Sequence, residues 1–151
     1  RLLKNSGYPG MKVLQFAFDS PEESDYLPHN YDKNCVVYTG THDNDTTAGW
    51  FETAPKADVR FAKKYLGVRY NRDGAWAFIR AAMASVANLA VTPMQDFLNL
   101  GSEARMNTPS TLGGNWMWRM QEGAASPELA AKIRDVTKLY GRVPASRKAK
   151  P

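Results

Sequence analysis

Three short apolar segments, separated by longer stretches with turns and helical patterns, most constrain what this chain can fold into. They are MKVLQF at residues 11–16, CVVYT at residues 35–39 and LAVT at residues 89–92, and Pro93 stops the third. The second and third lack clean alternation, which is typical of strands covered on both faces. Because strands separated by helices pair in parallel through crossover connections, the pattern predicts an α/β fold.

Periodicity and capping residues predict three helices. The first covers residues 56–66, which place their apolar side chains on one face. Asp73 is suited to cap the second. The apolar stripe of this second helix consists of Trp76, Ile79, Met83 and Val86. A capping serine at Ser126 precedes a proline and starts the third helix, which Gly141 ends.

The predicted sheet is incomplete as a structure on its own. Three strands cannot close a barrel, and as an open sheet they leave two unpaired edges. The opening residues Arg-Leu-Leu-Lys resemble the end of a helix without its beginning. Both observations lead us to expect part of a larger α/β protein.

The composition excludes several classes of protein. The formal net charge is +5, but four basic residues lie in residues 142–151, and the others are scattered among acids. We therefore expect a disordered basic tail at 142–151 and no nucleic-acid partner. No apolar run approaches the ~20 residues of a membrane span, so no membrane association is expected. The single cysteine, Cys35, lies in a predicted strand and excludes an internal disulfide.

The run YTGTHDNDTT at residues 38–47 concentrates the groups that can do chemistry. It brings an imidazole, two carboxylates, an amide and several hydroxyls directly after the second predicted strand. Side chains at the end of a buried strand often line a site in α/β proteins. The alternative is a polar turn in which Asp, Asn and Thr bond their own backbone.

Three chemistries suit His42 beside Asp43. A hydrolytic triad lacks a nucleophile, because the sequence has no G-x-S-x-G and Cys35 lies in a strand. A metal site needs more ligands than His29 and His42 offer, so neither a metal nor another cofactor is expected. Sugar chemistry remains, in which these groups bond hydroxyls and oppose oxocarbenium charge.

Two later clusters have less specific signals. The run PMQD at residues 93–96 follows the third predicted strand, and we expect it to hold a loop together. Residues 103–109 and 113–119 combine glycine, proline and tryptophan, which indicates an elaborate loop. A tryptophan pair can stack on sugar rings, but burial of the large apolar indole is the more frequent role.

Several blocks together resemble one enzyme family. VYTGTHDNDTT at residues 37–47, with Gly49 and Trp50, is similar to the signature of glycoside hydrolase family 77, the 4-α-glucanotransferases or amylomaltases. Further similar blocks follow in family order: GYPGMKVLQFAF at residues 7–18, LPHNY at 27–31, PMQD at 93–96, ARMN at 104–107 and GNWMWR at 114–119. A collinear set of this kind is highly specific.

The resemblance implies a fold and a reaction. The fold is a (β/α)8 barrel, of which residues 1–141 would form the C-terminal part with its last three strands. The family cleaves an α-1,4 glucan bond, keeps the glucan as a covalent intermediate and transfers it to the 4-hydroxyl of another sugar. Partners would be maltooligosaccharides or fragments of starch or glycogen. The compartment would be bacterial cytoplasm or plastid stroma.

The resemblance also assigns site residues. Asp43 matches the aspartate that binds the distorted sugar and stabilises the transition state, and His42 matches the neighbouring sugar-binding histidine. Phe18 matches an aromatic residue lining the acceptor side, and Asn107 a polar sugar contact. The family nucleophile and acid/base precede the matched region, so the chain alone is expected to be inactive. The three acids that follow the first strand match neither: Glu22, Glu23 and Asp25.

Two other functions remain open at this point. An α-amylase-type hydrolase shares the His-Asp pair, and it would give only shorter glucans where a transferase also gives longer ones. A non-catalytic glucan-binding module could be built from the tryptophan and tyrosine residues. That module would require the chain to fold by itself and to bind maltodextrin, which the open sheet argues against.

Overall fold

A parallel three-stranded sheet forms the centre of the described structure. A computed structural model of the chain describes residues 7–19 and 24–144. The strands are β1 (Gly10–Val13), β2 (Cys35–Tyr38) and β3 (Leu89–Val91). Their spatial order is β1-β2-β3, and both pairs are parallel. This confirms the predicted α/β fold with parallel pairing.

The first and third strands differ from their predicted form. The first was expected to reach residue 16, but the chain turns into a 3-10 helix at Leu14–Phe16, where the Ala17 N–H donates to the Leu14 carbonyl over 3.0 Å. The third was expected to be covered on both faces. Instead, Leu89 is 53% and Val91 37% exposed, because no described element packs over them.

Five α-helices and three further 3-10 turns complete the described structure. The helices are α1 (Thr47–Thr53), α2 (Lys56–Leu66), α3 (Gly74–Ala84), α4 (Met94–Phe97) and α5 (Pro127–Leu139). The 3-10 turns are Pro28–Asn30, Asn71–Asp73 and Ser102–Ala104. Helices α2, α3 and α5 confirm that the three predicted helices exist, but α3 ends at Ala84, so Val86 of the predicted stripe lies outside the helix and is 57% exposed. Helices α1 and α4 were not predicted from the sequence. Asp73 precedes α3 without capping it through its side chain.

The capping signals explain where two helices start. Ser126 accepts a hydrogen bond from the Leu129 N–H at 3.2 Å and caps α5, as its sequence predicts. Thr46 caps the unpredicted α1 in the same manner, accepting from the Gly49 N–H at 3.1 Å. Helix α1 was not predicted because a helix of only two turns that begins in a polar run shows no clear helical periodicity.

The main core is a cluster of aromatic rings between the sheet and helices α1 to α3. Phe18 lies at its centre, with 2% of its surface exposed. Four rings surround it at centroid distances of 5.5–6.0 Å: Trp50, Phe61, Tyr65 and Phe78. Edge and tilted ring contacts of this kind add stability beyond the area buried.

A second core cluster surrounds strand β2. It contains Tyr31, Cys35, Val37, Ala82 and Ala87. Cys35 is 1% exposed, and burial raises the pKa of its thiol. Because the thiolate is the reactive form, this position confirms the reading of a buried cysteine rather than a nucleophile.

Replacing Gly74 with alanine should destabilise the protein by about 1–3 kcal/mol, although alanine is the better helix former. The added Cβ would overlap the ring of Phe51, which is itself 2% exposed and cannot move outward. Thermal unfolding of the intact protein measures the effect. In a Phe51→Leu background the cost should fall, since the smaller side chain leaves room. A higher unfolding temperature for Gly74→Ala would contradict this packing.

Some sequence predictions concern the ends of the chain. The helix end expected at residues 1–4 and most of the expected tail, residues 145–151, lie outside the described residues. Arg142, the first residue of that expected tail, is held against the end of α3: its Nε donates to the Met83 carbonyl at 2.7 Å. Among the described helices, none is long and apolar enough to cross a membrane.

Candidate functional site

The turn after strand β2 carries the predicted site residues. The Asn44 N–H donates to the Thr41 carbonyl at 3.2 Å and closes the turn. The Asn44 side-chain oxygen accepts from both the N–H and the hydroxyl of Thr41, each at 2.8 Å. The polar-turn interpretation is therefore correct for Thr41 and Asn44. The two residues between them remain available for a different role.

His42 and Asp43 project from this turn next to each other. The His42 Nε2 lies 3.2 Å from Asp43 Oδ1, and their side chains are 57% and 49% exposed. The same Asp43 oxygen accepts a hydrogen bond from the Asn107 Nδ2 at 2.7 Å. Asp43 Oδ2 makes no hydrogen bond within residues 7–19 and 24–144. One oxygen is thus held by the protein, while the other is free for a ligand.

The segment after the Ser102–Ala104 turn holds His42 and Asp43 from the side. The Asn107 N–H donates to the His42 carbonyl at 3.1 Å. Arg105 Nη2 donates to the Asp43 carbonyl at 2.6 Å, and Arg105 Nε donates to the Asn107 carbonyl at 2.9 Å. Backbone and side-chain bonds thereby connect two loops that lie more than sixty positions apart.

Trp116 lies beside the imidazole of His42. The ring centroids are 5.1 Å apart, and the ring planes meet at 38°. The Trp116 N–H donates to the Met106 carbonyl at 2.7 Å and fixes the backbone at a positive φ of 61°. A bulky residue in this conformation is strained, and such strain is found preferentially at functional sites. The indole is 61% exposed, so the packing role favoured from the sequence is wrong for this tryptophan.

Asp45 supports the turn instead of offering a free carboxylate. Its Oδ1 accepts from the Thr46 N–H at 2.8 Å, and its Oδ2 from the Ser102 hydroxyl at 2.6 Å. Gln15, in the 3-10 turn that follows β1, donates through its Nε2 to the Asp45 carbonyl at 2.8 Å. Asp45 is consequently joined to the turn after β1 and to the Ser102–Ala104 turn. Gly49 lies so close to Asp45 and Ser102 that no side chain fits there.

Asp96 forms the buried base of the site. It is 1% exposed and accepts hydrogen bonds from the Thr39 hydroxyl at 2.5 Å, the Thr47 N–H at 2.7 Å and the Thr47 hydroxyl at 2.8 Å. Burial raises the pKa of Asp96, because desolvation outweighs these bonds to the charged form. Gln95 also bonds inward, donating to the Ala104 carbonyl at 3.2 Å. The scaffolding role predicted for PMQD is confirmed.

A pocket of about 180 Å³ lies between the two loops. Its walls include His42, Asn44, Gln95, Arg105 and Trp116. Asp43 does not line this pocket and lies on the exposed side of the same turn. The two carboxylates in the wall are the engaged Asp45 and Asp96, so the described part of the chain places no second free carboxylate there. The arrangement can bind hydroxyl groups and oppose positive charge.

The structure brings together three of the four predicted site residues. His42, Asp43 and Asn107 are in direct contact. Phe18 is not part of this group. The prediction that Phe18 lines the acceptor side is wrong, because its ring fills the aromatic core and has no surface to offer a ligand. Phe16, two residues earlier, is 43% exposed and contacts Tyr26 edge-on at 5.8 Å. In a continuous strand residues 16 and 18 would face the same side, so it is the 3-10 turn at Leu14–Phe16 that separates the two rings.

The described residues include one of the three acids noted after the first strand. Glu22 and Glu23 lie outside the described residues, and Asp25 is exposed in its loop. The sequence pattern did not predict a role for Arg105, which lies in the ARMN block at residues 104–107, or the contact between Trp116 and His42. The polar cluster that follows β3 could have indicated these contacts, because parallel strands present their carboxyl ends at the same edge of the sheet.

Comparisons with known proteins agree on one family. The family model described as 4-alpha-glucanotransferase matches residues 1–125. The chain is 52% identical over 140 residues to the 4-alpha-glucanotransferase of Clostridium butyricum, covering 92% of this chain and 29% of that enzyme. It is 48% identical over 145 residues to a chloroplastic/amyloplastic 4-alpha-glucanotransferase of Arabidopsis thaliana, covering 94% of this chain and 25% of that enzyme.

A solved structure supports the same relationship. Amylomaltase from Streptococcus agalactiae, in complex with acarbose, superimposes with a TM-score of 0.87 at 38% identity, covering 93% of this chain and 28% of the other. The chain thus spans under a third of the length of these relatives. Because the family model covers most of the chain, and the sequence relatives agree with it, the chain belongs to glycoside hydrolase family 77, the 4-alpha-glucanotransferases.

Proposed function

We propose that this chain supplies one side of the sugar-binding site of a 4-alpha-glucanotransferase. The observation that carries the proposal is the state of Asp43. Its Oδ1 is occupied by His42 and Asn107, and Oδ2 points to no partner in residues 7–19 or 24–144. An oriented, half-exposed carboxylate can accept a hydrogen bond from a sugar hydroxyl through one oxygen while the protein holds the other. This combination is what a carboxylate needs to stabilise an oxocarbenium-like transition state.

The reaction proposed for the whole protein is a retaining double displacement. A carboxylate attacks the anomeric carbon while an acid protonates the departing glycosidic oxygen, which gives a covalent glycosyl intermediate. The conjugate base then takes the proton of the acceptor 4-hydroxyl as that oxygen attacks the same carbon, and the bond from that carbon to the nucleophilic carboxylate breaks, which restores the free carboxylate. Neither the nucleophile nor the acid/base is assigned to this chain, because its pocket carboxylates, Asp45 and Asp96, are committed to structural bonds.

The residues of this chain would bind and orient the donor sugar. Asp43 would hydrogen-bond ring hydroxyls and oppose the developing charge, and His42 would donate to a neighbouring hydroxyl. Asn107 would hold Asp43 and offer its side-chain oxygen to the sugar. We propose Phe16 for the aromatic role that the resemblance gave to Phe18, because Phe16 is exposed at the same end of the sheet. These assignments follow from exposure and contact in the described residues.

We propose a (β/α)8 barrel as the complete architecture. The described sheet has parallel strands, and β1 and β3 each have one edge without a strand partner among the described residues. Exposed Leu89 and Val91 on β3 support a further covering element. Residues 1–141 would then be the C-terminal part of the catalytic barrel, and residues 142–151 its tail. The anchoring of Arg142 to α3 would move the start of the tail a few residues later.

The substrates would be α-1,4-linked glucans. The Streptococcus agalactiae amylomaltase that superimposes on this chain holds acarbose, which supports a glucan-like ligand. Relatives are named from bacteria and from chloroplasts or amyloplasts, which supports bacterial cytoplasm or plastid stroma as the compartment. We propose no nucleic-acid or membrane partner, since the basic residues outside 142–151 lie among acids and no apolar run of the sequence approaches the length of a membrane span.

Product analysis with maltotriose tests the proposed function. The full-length protein that carries these residues should release glucose and build a ladder of longer maltooligosaccharides, visible by chromatography. Shorter products without the ladder would identify an α-amylase-type hydrolase and contradict the transfer reaction. Binding of maltotriose without any turnover would identify a glucan-binding module. In each case a heat-inactivated sample serves as the control.

A further inference from the structure

We propose that Arg105 is a positioning residue that holds the carboxylate of Asp43 in its working orientation. This inference rests on the proposed function, because it assigns a task within the same site. Arg105 donates from Nη2 to the Asp43 carbonyl at 2.6 Å and from Nε to the Asn107 carbonyl at 2.9 Å. One side chain therefore connects the backbones of the two residues whose side chains meet at the Asp43 carboxylate.

The shape of the guanidinium explains why the connection is rigid. Its donors lie in one plane at fixed angles, so two simultaneous bonds determine the distance and the angle between the two carbonyl groups. The Asn107 N–H adds a third bond to the His42 carbonyl at 3.1 Å, and the Asn107 Nδ2 adds a fourth to Asp43 Oδ1 at 2.7 Å. The four bonds form a closed network around one carboxylate.

The need for such a connection follows from the local structure. Asp43 lies in an exposed turn and Asn107 in an irregular segment, so neither helix nor sheet bonds fix their relative position. Arg105 is half-buried, and it makes no ion pair within residues 7–19 and 24–144. Both of its bonds go to backbone carbonyls. A role in fixing geometry, rather than in neutralising a carboxylate, fits these contacts.

Kinetics of three variants in the full-length protein test the proposal. Arg105→Met should lower the kcat of maltotriose transfer by about 10–100-fold with KM within about twofold, because a displaced transition-state contact costs rate rather than substrate binding. Arg105→Lys keeps the charge but can replace only one of the two bonds, so its kcat should lie between those of the wild type and Arg105→Met. Arg60→Met, on the exposed side of α2, is the matched control and should retain wild-type kcat.

A double-mutant cycle with Asp43→Asn identifies the route of the effect. If Arg105 acts through Asp43, Arg105→Met should change the rate less than about threefold once Asp43→Asn is present. An equal loss in both backgrounds would overturn the proposal, as would wild-type kcat in Arg105→Met or Arg105→Lys. If Arg105→Met does not fold, the same double-mutant cycle with Arg105→Lys in place of Arg105→Met tests the proposal. Full activity in Asp43→Asn alone would overturn the proposed function together with this inference.

Discussion

Replacing Asp43 with asparagine is expected to lower the kcat of glucan transfer in the full-length protein by at least about 10²–10³-fold. Asparagine preserves the shape of the side chain and one oxygen for the bonds from His42 and Asn107. It removes the negative charge, which contributes most when the sugar becomes an oxocarbenium-like cation. The loss should therefore fall on kcat, with a much smaller change in KM.

Initial rates of glucose release from maltotriose measure this effect. Asp135→Asn, on the exposed face of α5, is the matched control for the change of charge and should keep wild-type rates. Unchanged thermal unfolding of Asp43→Asn would separate the kinetic loss from misfolding, since the side chain is half-exposed. Near-normal glucose release in Asp43→Asn would rule out the assigned role.

Replacing Asp96 with alanine is expected to destabilise the protein by about 3–5 kcal/mol. The variant leaves the Thr39 hydroxyl and both polar groups of Thr47 without their buried acceptor. It also opens a cavity below the turn that carries His42 and Asp43. Asp96→Asn retains the volume and one acceptor oxygen, so a smaller loss is expected. Unfolding by denaturant, followed by tryptophan fluorescence, measures both.

The pH dependence of stability provides a second measurement on Asp96. Burial raises the folded-state pKa of Asp96 above the unfolded value of about 3.9. Between these two pKa values the folded state binds more protons than the unfolded one, so the contribution of Asp96 to stability falls as the pH rises. The stability advantage of the wild type over Asp96→Asn should be largest in acid and should shrink through this interval. An advantage that grows with pH would contradict the raised pKa and would show that the hydrogen bonds from Thr39 and Thr47 outweigh the desolvation of the carboxylate.

The sequence predicted the elements whose signals are local. Apolar runs identified three strands, periodicity identified α2 and α3, and periodicity together with the Ser126 cap identified α5. Helix α1 was not predicted because it has only two turns and begins within a polar run. The end of β1 was missed because the apolar run continues through a 3-10 turn, where the pattern does not change.

The candidate site was predicted in part. The family resemblance marked His42, Asp43 and Asn107, which the structure brings together. It also marked Phe18, which the structure buries, while the exposed ring is Phe16. Two aromatic residues separated by one position cannot be told apart by composition. Their exposure depends on the turn that follows β1 and on the helices that cover one side of it.

The sequence by itself determined the family, the parallel α/β pattern and the chemistry gathered at residues 41–45, because each is encoded in contiguous residues. Only the tertiary structure decided which groups in that cluster are free. The Asn44 side chain accepts a hydrogen bond from Thr41 within the turn, and the Asp45 carboxylate accepts one from Ser102. Asp43, by contrast, is held by Asn107 through one oxygen and can bind a ligand through the other. The physical reason is distance along the chain: the partners Asn107 and Arg105 meet Asp43 only after the sheet has aligned its strand ends.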